Sequence, residues 1–234
     1  MRDFLKNYLY NSAQFEVFGF QYWASIIITV CAWIVIPIYF KRYCSKKSQN
    51  NFGEFLGHLV MSNYLIWVML EIIAGTFDIK LHLPFQLCRT ANLLMPFVMI
   101  KRNQMMYEII YFWGLSGILQ GMFTPDITNV FPHFHFLRYW VGHNGLILAI
   151  IYATVIYGMR PSIAGIRRAF IALNIFFLIT IPVNLLLEAN YFWICGKPHM
   201  PSLLDFMGPW PWYILTGEIV ALLHFGLAYL PFYI

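Results

Sequence analysis

Apolar runs about as long as a bilayer is thick recur along the chain, and short polar connectors separate them, a pattern that predicts helices, not strands. With a window of about 19 residues, the runs fall roughly at 22–40, 53–74, 83–100, 105–123, 139–157, 169–188 and 212–232. The expected fold is therefore all-α: a polytopic bundle of about seven transmembrane helices forming a single domain over residues 1–234. The second run is interrupted by Gly57, His58, Ser62 and Asn63, and the odd number of spans depends on it. The first run starts about twenty residues in and has no small-residue cleavage pattern after it, so it reads as a retained span. Pro96, Pro125 and Pro182 read as kinks or ends, and GPWPWY (208–213) as a stiff turn into the last helix. No internal repeat of the kind that marks many secondary transporters is visible.

Charge orients the bundle. Lys41, Arg42, Lys46 and Lys47, then Lys101 and Arg102, then Arg160, Arg167 and Arg168 occupy three alternate connectors, nine of the 15 basic residues. Arg2, Lys6, Lys80, Arg138 and Lys197 are scattered over the other side. Positive-inside sorting then puts the N-terminus outside the cytoplasm and the C-terminus within it. Composition agrees: 60% hydrophobic and 11% charged residues, with mean hydropathy +0.65, suit a multi-pass protein of the cell membrane and not a soluble domain. The net charge of +5 lies in clusters between apolar segments, with no long basic tract to suggest a nucleic-acid partner.

The polar residues crowd toward one side. Near the outer ends of the expected helices lie Glu71, Cys88, Arg89, Asn92, His143, Asn144, Asn184 and Glu188, and the outer loops add Asp126, His133, His135, His199 and Asp205. At about 1.5 Å per residue, Cys88 and His143 should both sit roughly 6 to 8 Å below the outer boundary. Ionisable groups inside a span face a bundle interior or a wet cavity and call for a functional hypothesis. In LPFQLCRTAN (83–92) a thiol stands next to a permanent cation, and neighbouring cations favour the reactive thiolate. Taken alone, Cys88 is a small buried hydrophobe, as Cys31 and Cys44 are expected to be, or half of a disulfide with Cys195. His143 alone is a packing histidine; beside a thiol it is the natural general base. Asn92, one turn from Cys88, or Asn144 is placed to donate to an oxyanion. In FPHFHF (131–136), His133 and His135 alternate as in an extended segment and read as solvated loop residues; with Asp126 they lack the fourth ligand of a defined zinc site. Arg138 opens the fifth span, where it snorkels to phosphates or, with Arg89, clamps one.

Five stretches together, LPFQLC, GILQGMFTPD, FPHFHFLRYWVGHNGLIL, IPVNLLLEANYFW and SLLDFMGPWPWY, resemble the YwaF-type bacterial membrane proteins, which are similar to the animal transmembrane protein 164 family. The resemblance runs over about residues 50 to 234. It implies a seven-helix bundle related to membrane hydrolases of fatty-acid esters, which use Thr with His. It also implies a cysteine-dependent acyltransferase with its nucleophile at Cys88 and its base at His143. Arg89 departs from the small residue that often follows the cysteine in bacterial relatives.

The expected function is transfer of a fatty acyl group from a phospholipid to a lysophospholipid through an acyl-thioester. Asp126, His133 or His135 is then available to orient the base, and Asn184 and Glu188 to support the site. Membrane phospholipid and lysophospholipid are the partners. No soluble cofactor, metal or protein partner is called for, since the acyl donor is already dissolved in the membrane. Two other classes stay open. A transporter or channel would use a polar path through His58, Asn63, Glu108, Asn174 and His224. A metal-dependent lipid hydrolase would use His133, His135, His143 and Asp126.

Overall fold

The computed structural model describes residues 1–11, 14–198 and 201–233, and among them there is no β-strand. The helices are α1 (Arg2–Tyr10), α2 (Phe20–Tyr43), α3 (Lys46–Ala74), α4 (Leu87–Met99), α5 (Gln104–Trp113), α6 (Leu119–Phe123), α7 (Phe134–Val155), α8 (Ile163–Leu187) and α9 (Trp212–Tyr229). A turn of π-helix, Gly114–Ile118, joins α5 to α6. Helices thus cover all seven apolar runs, but among the described residues only α2, α3, α8 and the α9 segment through Phe232 are each long and apolar enough to cross a membrane. The other three have physical reasons to fall short. α4 has 13 residues, the α5–α6 rod runs on in αR backbone through a π turn that divides it into two short α-helices, and α7 carries Arg138, His143 and Asn144.

Those three form the middle of the molecule. α4 packs against α3, α5 and α7, while α2 flanks α7, α8 flanks α5, and α9 lies on the π turn. Between apolar helices in lipid, close packing does the holding, because lipid tails are as apolar as leucine. The shared core accordingly holds Val60, Met95, Ile110, Leu146 and Ala149, all fully buried. Gly57, which interrupts the second apolar run, is the point where α3 meets α4: an added Cβ would stand 2.8 Å from Met99 Cβ. The outer helices present Ile27, Ile28, Ile34, Leu178, Leu186, Ile219 and Leu223 at the surface, as a lipid-facing surface would.

Two helix starts differ from the sequence reading. The third apolar segment becomes helical at Leu87, not 83, with extended Gln86 as its N-cap, because Pro84 holds the preceding residue extended. Cys88 is therefore the second residue of its helix. The fifth begins at Phe134, with His133 as N-cap: its ring accepts a hydrogen bond from His135 N–H at 3.1 Å. FPHFHF is thus a capped helix start and not an extended segment, since the imidazole does the work usually left to Ser or Asp. Cys31 is exposed on α2 instead of buried, and all four cysteines are free thiols, so Cys88 and Cys195 are not joined. His199 lies outside the described residues.

Candidate active site

α4, α6 and α7 converge on one small region. The Cys88 thiol, in the first turn of α4, lies within side-chain reach of the His143 imidazole, and Arg89 and Arg138 are close enough to act on it electrostatically. His143 Nδ1 lies 3.0 Å from the Tyr139 carbonyl oxygen. A carbonyl only accepts, so Nδ1 carries the proton and Nε2 keeps its lone pair. Tyr139 stacks on the same ring at 4.2 Å between centroids, and its hydroxyl donates to the Gly121 carbonyl at 2.5 Å. Gly121 is a residue of α6 that must stay small. A Cβ there would stand 3.1 Å from His143 Cδ2 and 2.9 Å from the Tyr139 hydroxyl. The π turn just before it is the kind of helix defect that often accompanies function.

The first turn of a helix leaves backbone N–H groups without intrahelical acceptors. In α4 these belong to Leu87, Cys88 and Arg89, the first helical bond being Thr90 N–H to Gln86 O. The nucleophile candidate thus shares its location with free donors and the positive end of the helix dipole.

The remaining candidates separate into those near this point and those committed elsewhere. With its amide turned to suit its acceptors, Asn92 donates to Gly142 O at 3.2 Å and Cys88 O at 3.3 Å, tying α4 to α7. Asn144 faces α2, donating to Thr29 Oγ1 at 2.6 Å. His133 Nε2 is 2.7 Å from the Tyr8 carbonyl, and Asp126 is exposed. Among the described residues neither hydrogen-bonds to His143. Asn184 exchanges two hydrogen bonds with the backbone of Tyr191, at 2.7 and 2.9 Å. Glu188 pairs at the surface with Lys80 at 3.1 Å.

Arg89 and Arg138 differ. The Nη1 of Arg89 donates to the Leu81 and Leu83 carbonyls, fastening the 75–86 loop over the start of α4. Tyr64 and Tyr191 hold the same loop, the former donating to His82 O at 2.8 Å and the latter to Ile79 O at 2.5 Å. Both guanidiniums lie over the Trp67 ring, at 4.6 Å for Arg89 and 3.9 Å for Arg138. Trp67 Nε1 in turn donates to Glu71 at 2.9 Å, and Tyr10 and Thr76 hydroxyls supply two further hydrogen bonds to that carboxylate. His82 and His135 stand 3.8 and 3.9 Å from it. Burial holds the His82 imidazole below its ordinary pKa, against the pull of Glu71. Sequence reasoning missed Trp67, Tyr139, His82 and Gly121. Only the four-residue spacing of Trp67 and Glu71 on one helix, a donor one turn from an acid, hinted at the network. Among the described residues no three His, Cys, Asp or Glu side chains converge as a metal site requires.

A family model described as the TMEM164 family matches residues 17–229. The chain belongs to the TMEM164 family. It is a membrane protein of that family, and the matched stretch contains Cys88, His143, Arg138 and Trp67. No curated protein and no solved structure matches the chain.

Proposed function

We propose that this TMEM164-family chain is a lipid acyltransferase of the cell membrane. In this reading it has seven crossings, its N-terminus is extracytoplasmic and its active site lies near the outer leaflet. The observation that carries the reading is the placement of the Cys88 thiol within side-chain reach of an imidazole whose Nδ1 is tied to a carbonyl, which leaves the lone pair of its other nitrogen available to the thiol. Nucleophile and base on different helices, with the base oriented by a third group, is the general arrangement for covalent catalysis.

The chemistry follows from those positions. His143 Nε2 takes the Cys88 proton, and the thiolate adds to the carbonyl carbon of a phospholipid ester. The positive end of α4 favours that anion, and its free N–H groups suit the oxyanion that forms. When the tetrahedral adduct collapses, the carbon–oxygen bond breaks and the lysolipid alkoxide leaves with the proton held by His143. A lysophospholipid hydroxyl then gives its proton to the same nitrogen, attacks the thioester and expels the thiolate, which recovers the proton. Water in place of that hydroxyl gives hydrolysis. No soluble cofactor enters any step.

The other classes find less support. His133 and His143 are held by different carbonyls, His135 stands by Glu71 and Asp126 is exposed, while Glu108, Asn174 and His224 bond to neighbours across the helices instead of lining one path. The test is transfer of a labelled acyl chain from phospholipid to lysophospholipid by purified protein. Cys88→Ala should abolish transfer and the thioester adduct seen by mass spectrometry, and His143→Ala should slow transfer about 10²- to 10⁴-fold. Transfer surviving in both variants would reject the assignment.

A further inference from the structure

Arg138 is the one cation at the site whose guanidinium has no hydrogen-bond acceptor among the described residues, and its Nε is buried without a partner. A guanidinium offers five donors in a fixed fork. Burying the Nε donor without an acceptor is costly unless a ligand arrives to take it, and the side chain as a whole is only half-buried, so an anion can reach the rest of the fork. Glu71 is nearby, but among the described residues no carboxylate stands within ion-pair distance of Arg138. The oxygens of Glu71 already receive Trp67, Tyr10 and Thr76. Meanwhile Trp67 holds the guanidinium by its face, at 3.9 Å, and Asn63 fixes the backbone by donating to Arg138 O at 3.0 Å. The group is oriented, within electrostatic reach of the Cys88 thiol, and unsatisfied at Nε. Arg89, on the same indole, spends its Nη1 on loop carbonyls.

We infer that Arg138 is the anion-recognition residue of this site and takes the phosphodiester of the acyl-donor lipid, whereas Arg89 only fastens the loop. This rests on the acyl-transfer reading for its substrate, though not for its binding chemistry. A planar fork suits two phosphate oxygens at once, which a lysine ammonium cannot reproduce. In a glycerophospholipid the phosphate and the ester carbonyls hang from one three-carbon backbone, so an anion held beside Cys88 brings an ester to the thiol. The site therefore selects phospholipids over neutral acylglycerols.

The test separates binding from turnover. A fluorescent diether phosphocholine, which has no ester to cleave, and a dialkylglycerol with the same chains are titrated into detergent-solubilised wild type, Arg138→Lys, Arg138→Met and Arg89→Gln. Wild type should bind the phosphate-bearing probe more tightly. Both Arg138 variants should weaken that probe roughly tenfold to a hundredfold, as expected for loss of a hydrogen bond to a charged group, and leave the dialkylglycerol unchanged. Arg89→Gln should preserve the ratio between the probes. Equal losses for both probes in the Arg138 variants, or none for either, would overturn the inference. Thermal unfolding of Arg138→Lys shows whether its fold is intact, and Arg138→Met gives a second reading of the same ratio. In turnover, Arg138→Lys should raise KM for phospholipid and spare a p-nitrophenyl acyl ester. A matching drop in kcat on both esters would instead assign Arg138 to the oxyanion and overturn the phosphate role. If wild type turns over neither ester, the acyl-transfer reading fails while the two ether probes still decide the anion site.

Discussion

Two carboxylates in this protein are equally hidden, Glu71 and Glu108, each 1% exposed, yet their surroundings differ. Glu108 of α5 receives Ser162 Oγ at 2.7 Å on one oxygen and the Arg168 fork on the other, through Nε at 2.9 Å and Nη2. Every charge there has its opposite, and the result is a clasp between α5 and the start of α8. Glu71 of α3 has neutral donors on its oxygens, while the full cations around it face elsewhere: Arg89 to loop carbonyls, Arg138 to an indole face. A closed pair has no capacity left for a ligand. An oriented but unpaired cation does, and that difference marks which end of the bundle is equipped for binding.

The contrast breaks most sharply at the clasp. Arg168→Leu leaves a buried carboxylate uncompensated, which in proteins costs about 3 to 5 kcal/mol. Because the Arg168 side chain is itself 40% exposed, the expected loss is about 3 kcal/mol, the lower end of that range. Denaturant unfolding in detergent reads it. Acyl transfer per folded molecule should not change; a fall in parallel with stability would mean that the two regions are coupled. Glu71→Gln should cost less, about 1 to 3 kcal/mol, because it replaces one accepting oxygen by a donor that faces other donors. Here catalysis should suffer too, since Trp67 loses the partner that sets its ring beneath Arg138. Unchanged phospholipid KM in Glu71→Gln would sever the link from carboxylate to indole to guanidinium.

How much of this the sequence reveals depends on the kind of interaction. Apolar runs announce helices because burial in lipid needs length and hydrophobicity, so all seven runs are helical. The starts of α4 and α7 escape a hydropathy window because capping decides them. Pro84 delays one, and the His133 ring, taking an N-cap role rare for histidine, advances the other. Cys88 and His143 stand out as costly groups within greasy segments. Arg89 and Arg138 look interchangeable in sequence, since nothing along the chain tells which guanidinium meets carbonyls of the 75–86 loop. Trp67 is one of 8 tryptophans, and its importance arises only from what α4 and α7 bring against it.

The smallest effect expected is also the most local. His82 is buried in the 75–86 loop, and its Nδ1 accepts from Asp78 N–H at 2.8 Å, so the neutral ring suits the fold. Its folded pKa lies below the ordinary 6.5, desolvation outweighing the attraction of Glu71. Just below pH 6.5 the unfolded chain therefore binds more protons than the folded one, and stability must rise with pH there. The contribution is complete above pH 6.5 and is lost as pH falls toward the folded value. A protonated Nδ1 can no longer accept from Asp78 N–H and must turn to the Asp78 carbonyl, 3.0 Å away. The loop that fastens the start of α4 should therefore loosen first on acidification. Hydrogen exchange of residues 75–86 should accelerate between pH 7.5 and 5.5 in wild type, once corrected for the intrinsic pH dependence of exchange. This dependence should flatten in His82→Gln, while exchange around Glu108 stays level. Slower loop exchange at the acid end would reverse the sign expected from burial, and would mean that the pull of Glu71 governs the ring.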